Sequence, residues 1–196
     1  SSERVRQLVV AGDLPGMRFG NAWAVPREAV EARRHQVNRR GRPVSALRAW
    51  ESIAAGEVDL SNAGRYRNRG EVHRYEMSAA DLLFVSTQDG VMVSGAEAAR
   101  NLGELIQSDR EVTDLYVPGQ LHSDIASMVA AVPDPLGEVF LRVLPDEVRS
   151  FINGLEIGHT DDGRCLAPRA AVGLDLMESG NPRHWVAAQS LVSVNV

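Results

Sequence analysis

The sequence predicts an α+β chain in three parts, a small head over residues 1–38, a basic linker and connecting helix over 39–77, and a compact, mixed α/β, acidic body over 78–196. Three observations predict it. Charge is divided along the chain: residues 1–48 carry ten arginines against four acids, and residues 75–196 carry seven against eighteen, inside a total of −5. Short Gly- and Pro-punctuated pieces crowd the first forty residues, whereas apolar runs of strand and helix length alternate from Ser78 onward. The 196 residues, 44% of them apolar, suffice to bury a core.

The head opens with a helix. Ser1 and Ser2 offer a hydroxyl to its unpaired N–H groups, and Glu3 suits the positive end of its dipole. Val5, Leu8 and Val9 make one apolar stripe, while Ser2, Glu3, Arg6 and Gln7 face away from it. Gly12 ends this helix, and Asp13-Leu14-Pro15-Gly16 turns the chain into two extended pieces, Met17–Phe19 and Ala22–Val25, with Gly20-Asn21 as the hairpin tip. Trp23 packs the hairpin onto the helices. Pro26 fits the first position of a second helix, Pro26 to about His35, because it has no N–H to lose there.

Gly12-Asp13-Leu14-Pro15, Arg18, Gly20, Trp23 and Val25-Pro26-Arg27-Glu28-Ala29 together resemble the excisionase/MerR-like winged helix-turn-helix family over about the first fifth of the chain. The resemblance implies a recognition helix that reads double-stranded DNA through Ser2, Glu3, Arg4, Arg6 and Gln7, with Arg18 and Asn21 on the wing. Two departures stand out. The family places another helix before the recognition helix, with which this sequence begins, so either that helix lies outside the sequence or the fold is altered. The wing tip Asn21-Ala22-Trp23-Ala24 also lacks the arginines that relatives often carry there, which weakens any grip on phosphate.

The linker Arg33–Pro43 is basic, and its core Arg40-Gly41-Arg42-Pro43 is similar to AT-hook motifs. That likeness implies an extended backbone along the minor groove with Arg39, Arg40 and Arg42 at the phosphates or inside the groove and Gly41 allowing the close approach. All twenty-one basic residues of the chain are arginine. Arginine suits bidentate contacts, but a GC-rich codon bias explains its exclusive use more simply.

Ser45 caps a helix to about Ala55 that carries Leu47, Trp50 and Ile53 on one face, with Gly56 closing it. In Arg65-Tyr66-Arg67-Asn68-Arg69-Gly70 a strand would bring the arginines to one face. Two readings stay open there: Arg65 and Arg67 form a second phosphate-contacting ridge, or the arginines pair with the acidic body.

In the body, Leu82–Ser86, Val91–Ser94, Asp114–Pro118 and Val139–Leu144 read as strands. Ala96–Gln107, Ser123–Val132, Asp146–Asn153 and Pro182–Val192 read as helices, and Leu166–Ser179 as either strand or helix. The run Ala167–Arg183, with its Asp-Leu and Ser-Gly-Asn-Pro-Arg, is similar to the closing segment of AbiEi-type antitoxin proteins, and Arg65–Gly70 resembles another piece of them. That likeness implies an antitoxin-like repressor of its own operon, encoded beside a nucleotidyltransferase-like toxin.

Little in the body suggests chemistry. His122 with Asp124, and His159 with Asp161 and Asp162, are the only histidine–carboxylate clusters there, and His159–Gly163 is more simply a polar turn. Asp175 and Glu178 stand three apart as nuclease carboxylates do, but no lysine completes such a set. The single cysteine, Cys165, excludes an intrachain disulfide and a cysteine-based zinc site, and with no base beside it in sequence it reads as a small buried side chain. No Gly-rich phosphate loop is present. No catalytic residue, metal ligand or cofactor is therefore expected, and no enzyme. With neither a ~20-residue apolar run nor a signal peptide, the expectation is a cytoplasmic protein with no membrane association.

The expected function is sequence-specific, DNA-binding repression of its own operon. The alternatives are an antitoxin that neutralises a partner toxin by protein contact, and an excisionase-like architectural factor, against which the size of the body argues. Oligomeric state stays open between a dimer on half-sites one helical turn apart and a single chain on an asymmetric site.

Overall fold

The computed structural model describes residues 5, 6, 9, 16–20, 22–26, 42–106, 112–134, 137–155, 158–179 and 181–193. In the head, residues 5, 6 and 9 are helical. Strands β1 (Met17–Phe19) and β2 (Ala22–Ala24) pair antiparallel, with Arg18 opposite Trp23. Gly20 takes a φ of 58° at the turn, a left-handed conformation that a side chain disfavours. A Cβ built on Gly16 would stand 3.0 Å from both methyls of Val9, so the chain entering the hairpin packs on the helix's apolar side. The expected helix from Pro26 to about His35 falls, apart from Pro26 itself, outside the described residues.

The body is a five-stranded mixed sheet with helices on both faces. Its strands are β3 (Glu71–Glu76), β4 (Met92–Ser94), β5 (Thr113–Pro118), β6 (Val132–Pro133) and β7 (Val139–Leu144), in the order β4-β5-β7-β3-β6. Strands β5 and β7 are parallel and the other neighbours antiparallel. Helices α1 (Ala46–Ala54), α2 (Ala79–Ser86), α3 (Gly95–Asn101), α4 (Gly119–Met128), α5 (Asp146–Ile152), α6 (Arg169–Glu178) and α7 (Pro182–Ser193) are joined by a 3-10 helix over Leu60–Arg69.

The boundary expected between residues 77 and 78 does not divide this structure. Strand β3 is hydrogen-bonded between β7 and β6, and Trp50 of α1 is fully buried with its ring 5.2 Å from that of Tyr116. Val44 is tied to the 3-10 helix, since its N–H donates to the Arg65 carbonyl and its own carbonyl accepts from Asn68 Nδ2, both at 2.9 Å. The connecting segment is part of the core because its apolar residues have nowhere else to go.

Ser45 caps α1 as expected, its Oγ accepting from the Arg48 amide at 3.3 Å. The buried stripe is Ala46, Ala49, Trp50 and Ile53, spaced i, i+3, i+4 and i+7; Leu47 falls one position off it and is 41% exposed. Leu82–Ser86 is not a strand. Ser78 accepts from the Asp81 amide at 3.1 Å and so starts α2 three residues before the apolar run, whose hydrophobicity alone does not distinguish strand from helix. The helix expected from Ser123 starts instead at Gly119, with Ser123 Oγ donating to the Gly119 carbonyl at 3.1 Å rather than capping, and its expected C-terminal end is edge strand β6. The helix expected over Ala96–Gln107 ends at Asn101, where Leu102 and a left-handed Gly103 close it. Arg65–Gly70 is no strand either, and the 3-10 turn separates the three arginines.

Register decides what each sheet face carries. Directly opposed residues share a face, so Asp114, Tyr116, Phe140, Arg142, Val72 and Arg74 stand on one side, toward α6, and Leu115, Val117, Leu141, Val143, His73 and Tyr75 stand on the other, toward α4. Among the described residues no helix is long and apolar enough to cross a membrane.

Candidate nucleic-acid interface and buried ionic cluster

Of the thirteen residues expected at DNA, Ser2, Glu3, Arg4, Gln7, Asn21, Arg39, Arg40 and Gly41 lie outside the described residues. The other five, Arg6, Arg18, Arg42, Arg65 and Arg67, are all exposed. Arg18 reaches forward to the wing turn, its Nε donating to the Gly20 carbonyl at 3.0 Å. Arg67 Nη1 donates to the Gly64 carbonyl at 3.3 Å and lines an open groove of about 600 Å³ with Ser45, Ala46, Asn68, Glu71 and Glu147. Two glutamates beside one arginine make that groove a poor phosphate cradle.

The two readings left open for the arginines at 65–69 divide by residue. Arg65 and Arg67 face solvent, whereas Arg69 is 1% exposed and pairs with the body. Its Nη2 lies 2.5 Å from Asp175 Oδ1 and 2.8 Å from Glu178 Oε2, and its Nη1 lies 2.9 Å from Glu178 Oε1. Asp175 and Glu178 are three apart on α6, so both carboxylates leave the helix on one face.

A second guanidinium completes the arrangement. Arg142 of β7 reaches Asp114 Oδ1 at 3.0 Å, Asp175 Oδ1 at 3.1 Å and Glu178 Oε2 at 2.8 Å. The Tyr116 hydroxyl accepts from Arg69 Nε at 2.9 Å and donates to Asp175 Oδ1 at 3.1 Å. Ser94 sits where α3 needs a cap, yet its Oγ donates to Asp175 Oδ2 at 2.5 Å instead. The Trp50 indole N–H donates to the Arg69 carbonyl at 2.8 Å. Every carboxylate here meets a guanidinium, as burial in a low dielectric demands.

Three carboxylates against two guanidiniums leave the cluster one negative charge in excess when all are ionised, and the group that yields is Asp114. Burial pushes its carboxyl up to about 6, against the pull of Arg142. Burial raises Glu178 too, but Arg69 and Arg142 outweigh it and hold that carboxyl at about 2. Tyr116 is pushed well above the ordinary tyrosine range by burial, and so stays a neutral donor. The cluster ties α6 to β4, β5, β7 and the 3-10 helix. Asp175 and Glu178 are two of its three acids, as their spacing on α6 allowed; Arg69 had one open reading in its favour, and nothing in the sequence pointed to Asp114, Tyr116 and Ser94. For Arg142 the available signal was a charge inside the apolar run Val139–Leu144.

The histidine clusters rearrange likewise. Asp124 pairs with Gln120 Nε2 at 3.2 Å, while His122 turns to Tyr75 and His73. The polar turn after His159 forms as expected, closed by Gly163 N–H donating to the Thr160 carbonyl at 2.9 Å, with Asp162 held by Arg164 at 2.9 Å. Cys165, read as having no base beside it, is half-buried with its Sγ 3.7 Å from Nε2 of the exposed His159, because an antiparallel bridge pairs the two across the turn. Among the described residues no group of three or more His, Cys, Asp and Glu is placed to hold a metal. No protein-family model, curated protein or solved structure matches the chain.

Proposed function

We propose that the chain is a sequence-specific DNA-binding transcriptional repressor, not an enzyme, that acts on its own operon. The recognition helix enters the major groove with Arg4, Arg6 and Gln7, Arg18 steadies the wing against the backbone, and Arg39-Arg40-Gly41-Arg42 follows the adjacent minor groove. The observation that carries this reading is the hairpin of β1 and β2, packed through Gly16 on Val9 of the helical segment, with exposed Arg18 braced on its turn. A wing in that place, followed by an arginine-rich segment and an acidic body, gives one end of the chain to phosphate and repels it from the other. The test is a salt titration of affinity for the DNA upstream of its own gene. Arg42→Ala should weaken binding and reduce the slope of log K against log salt by about one, the share of one phosphate contact. An unchanged affinity and slope would remove the linker from the interface.

A specific observation also favours a protein partner. On α2, Leu83 is 52% and Phe84 45% exposed, side by side on a helix apolar on most sides. If the body neutralises a toxin encoded next door, that toxin co-purifies with the wild type and is lost from Phe84→Asp. Failure to bind it at micromolar concentration counts against this role.

A further inference from the structure

Helix α4 crosses the sheet face opposite the ionic cluster, and there an imidazole of the helix meets one of the sheet. His122, in the first turn of α4, stacks on His73 of β3 with ring centroids 4.5 Å apart and planes tilted by 35°. His122 Nε2 lies 3.0 Å from the Tyr75 hydroxyl, and His73 Nε2 lies 3.3 Å from Glu71 Oε1.

The surroundings of His122 limit which charges it meets. From β3 it faces His73, Glu71 and Tyr75. Its own helix adds Asp124, engaged by Gln120, and α5 places Asp146 near Gly119 at the start of α4. Strands β5 and β7 present apolar residues to this face, Leu115, Val117, Leu141 and Val143. Beneath α4, Ile125 is buried.

Charging both rings is unfavourable for three separate reasons. Two imidazoliums in contact repel, the first turn of a helix disfavours a cation, and His122 is part-buried. Burial first, and then His73, hold His122 below the ordinary histidine range, with Glu71 acting in the opposite sense. His122 therefore resists protonation, and a charge on the His73 ring beside it adds to that resistance.

We propose that the His73–His122 stack is a pH-sensitive latch that holds α4 on the sheet while at least one ring is neutral and releases it when both are charged. Release exposes Ile125 and loosens the connection from β5 to the edge strand β6. The latch does not depend on the reading of the head.

The experiment is amide hydrogen exchange on the full chain between pH 7 and pH 4.5, corrected for the intrinsic exchange rate, with the histidine ring signals followed by NMR. The wild type should show exchange across α4 rising at least tenfold relative to α6 as pH falls. His122→Asn, which removes one charge, should abolish the rise, and His73→Gln should move the His122 titration upward as well as abolish it. Flat exchange across α4 in the wild type would overturn the latch, and so would a rise that persists in both variants.

Discussion

The guanidinium of Arg69 and the carboxylate of Asp175 meet at 2.5 Å although 106 residues separate them, and neither side chain is more than 1% exposed. One ends the 3-10 helix within the connecting segment, and the other lies on α6. Their contact joins the 3-10 helix to α6 of the body.

Removing Arg69 leaves the carboxylates of Asp114, Asp175 and Glu178 against the single guanidinium of Arg142, and uncompensated charge at a buried ion pair costs about 3–5 kcal/mol. Arg69→Ala should therefore destabilise the chain by that amount in urea unfolding, whereas Arg48→Ala, which breaks an exposed pair on α1, should cost within about 1 kcal/mol. Equal effects of the two would mean that the cluster does not hold the body together.

Asp114 and Glu178 make opposite contributions to stability as pH changes. Asp114 has its carboxyl raised in the fold from 3.8 to about 6, so its contribution is fully present below pH 3.8 and is lost as pH rises through 6. Glu178 is lowered from 4.5 to about 2, so its contribution is present above pH 4.5 and is lost as pH falls through 2. Asp114→Asn keeps a hydrogen-bonding group without the titration. Unfolding midpoints at pH 4.5, 6 and 7.5 should show the wild type losing ground to Asp114→Asn as pH rises, and a gap independent of pH would contradict the assignment.

Much of this architecture was legible in the sequence. Strand β7 was read to the residue, and the start of α1 from its capping serine, because apolar runs and caps are local signals. The sheet order was not, since nothing in β3 says that it lies between β7 and β6. Nor was the cluster, because the pairing of Arg69 with Asp175 is a fact of tertiary distance. Leu82–Ser86 departs from its expected strand for a different reason: an apolar run of five fits a strand as well as a buried helix turn, and the deciding cap lies upstream at Ser78.

The same limit concealed the neighbour of Cys165. His159 stands six residues away in the chain and meets the Cys165 Sγ at 3.7 Å only because the turn folds back. The reactivity of a thiol depends on its exposure and on the polar groups in contact with it. Alkylation of Cys165 at pH 7 should slow several-fold in His159→Asn while the unfolding midpoint stays unchanged. An unaltered rate would show that the contact has no chemical consequence.

The reading of the head as a DNA-binding element is tested most directly by a footprint of the full chain on the DNA upstream of its own gene, with Arg18→Ala and Arg42→Ala run beside it. The account predicts one discrete protected site at moderate salt, weakened overall by Arg18→Ala and shortened by Arg42→Ala on its A·T-rich flank. No protection of that DNA by the wild type, with the protein folded and soluble, would contradict it.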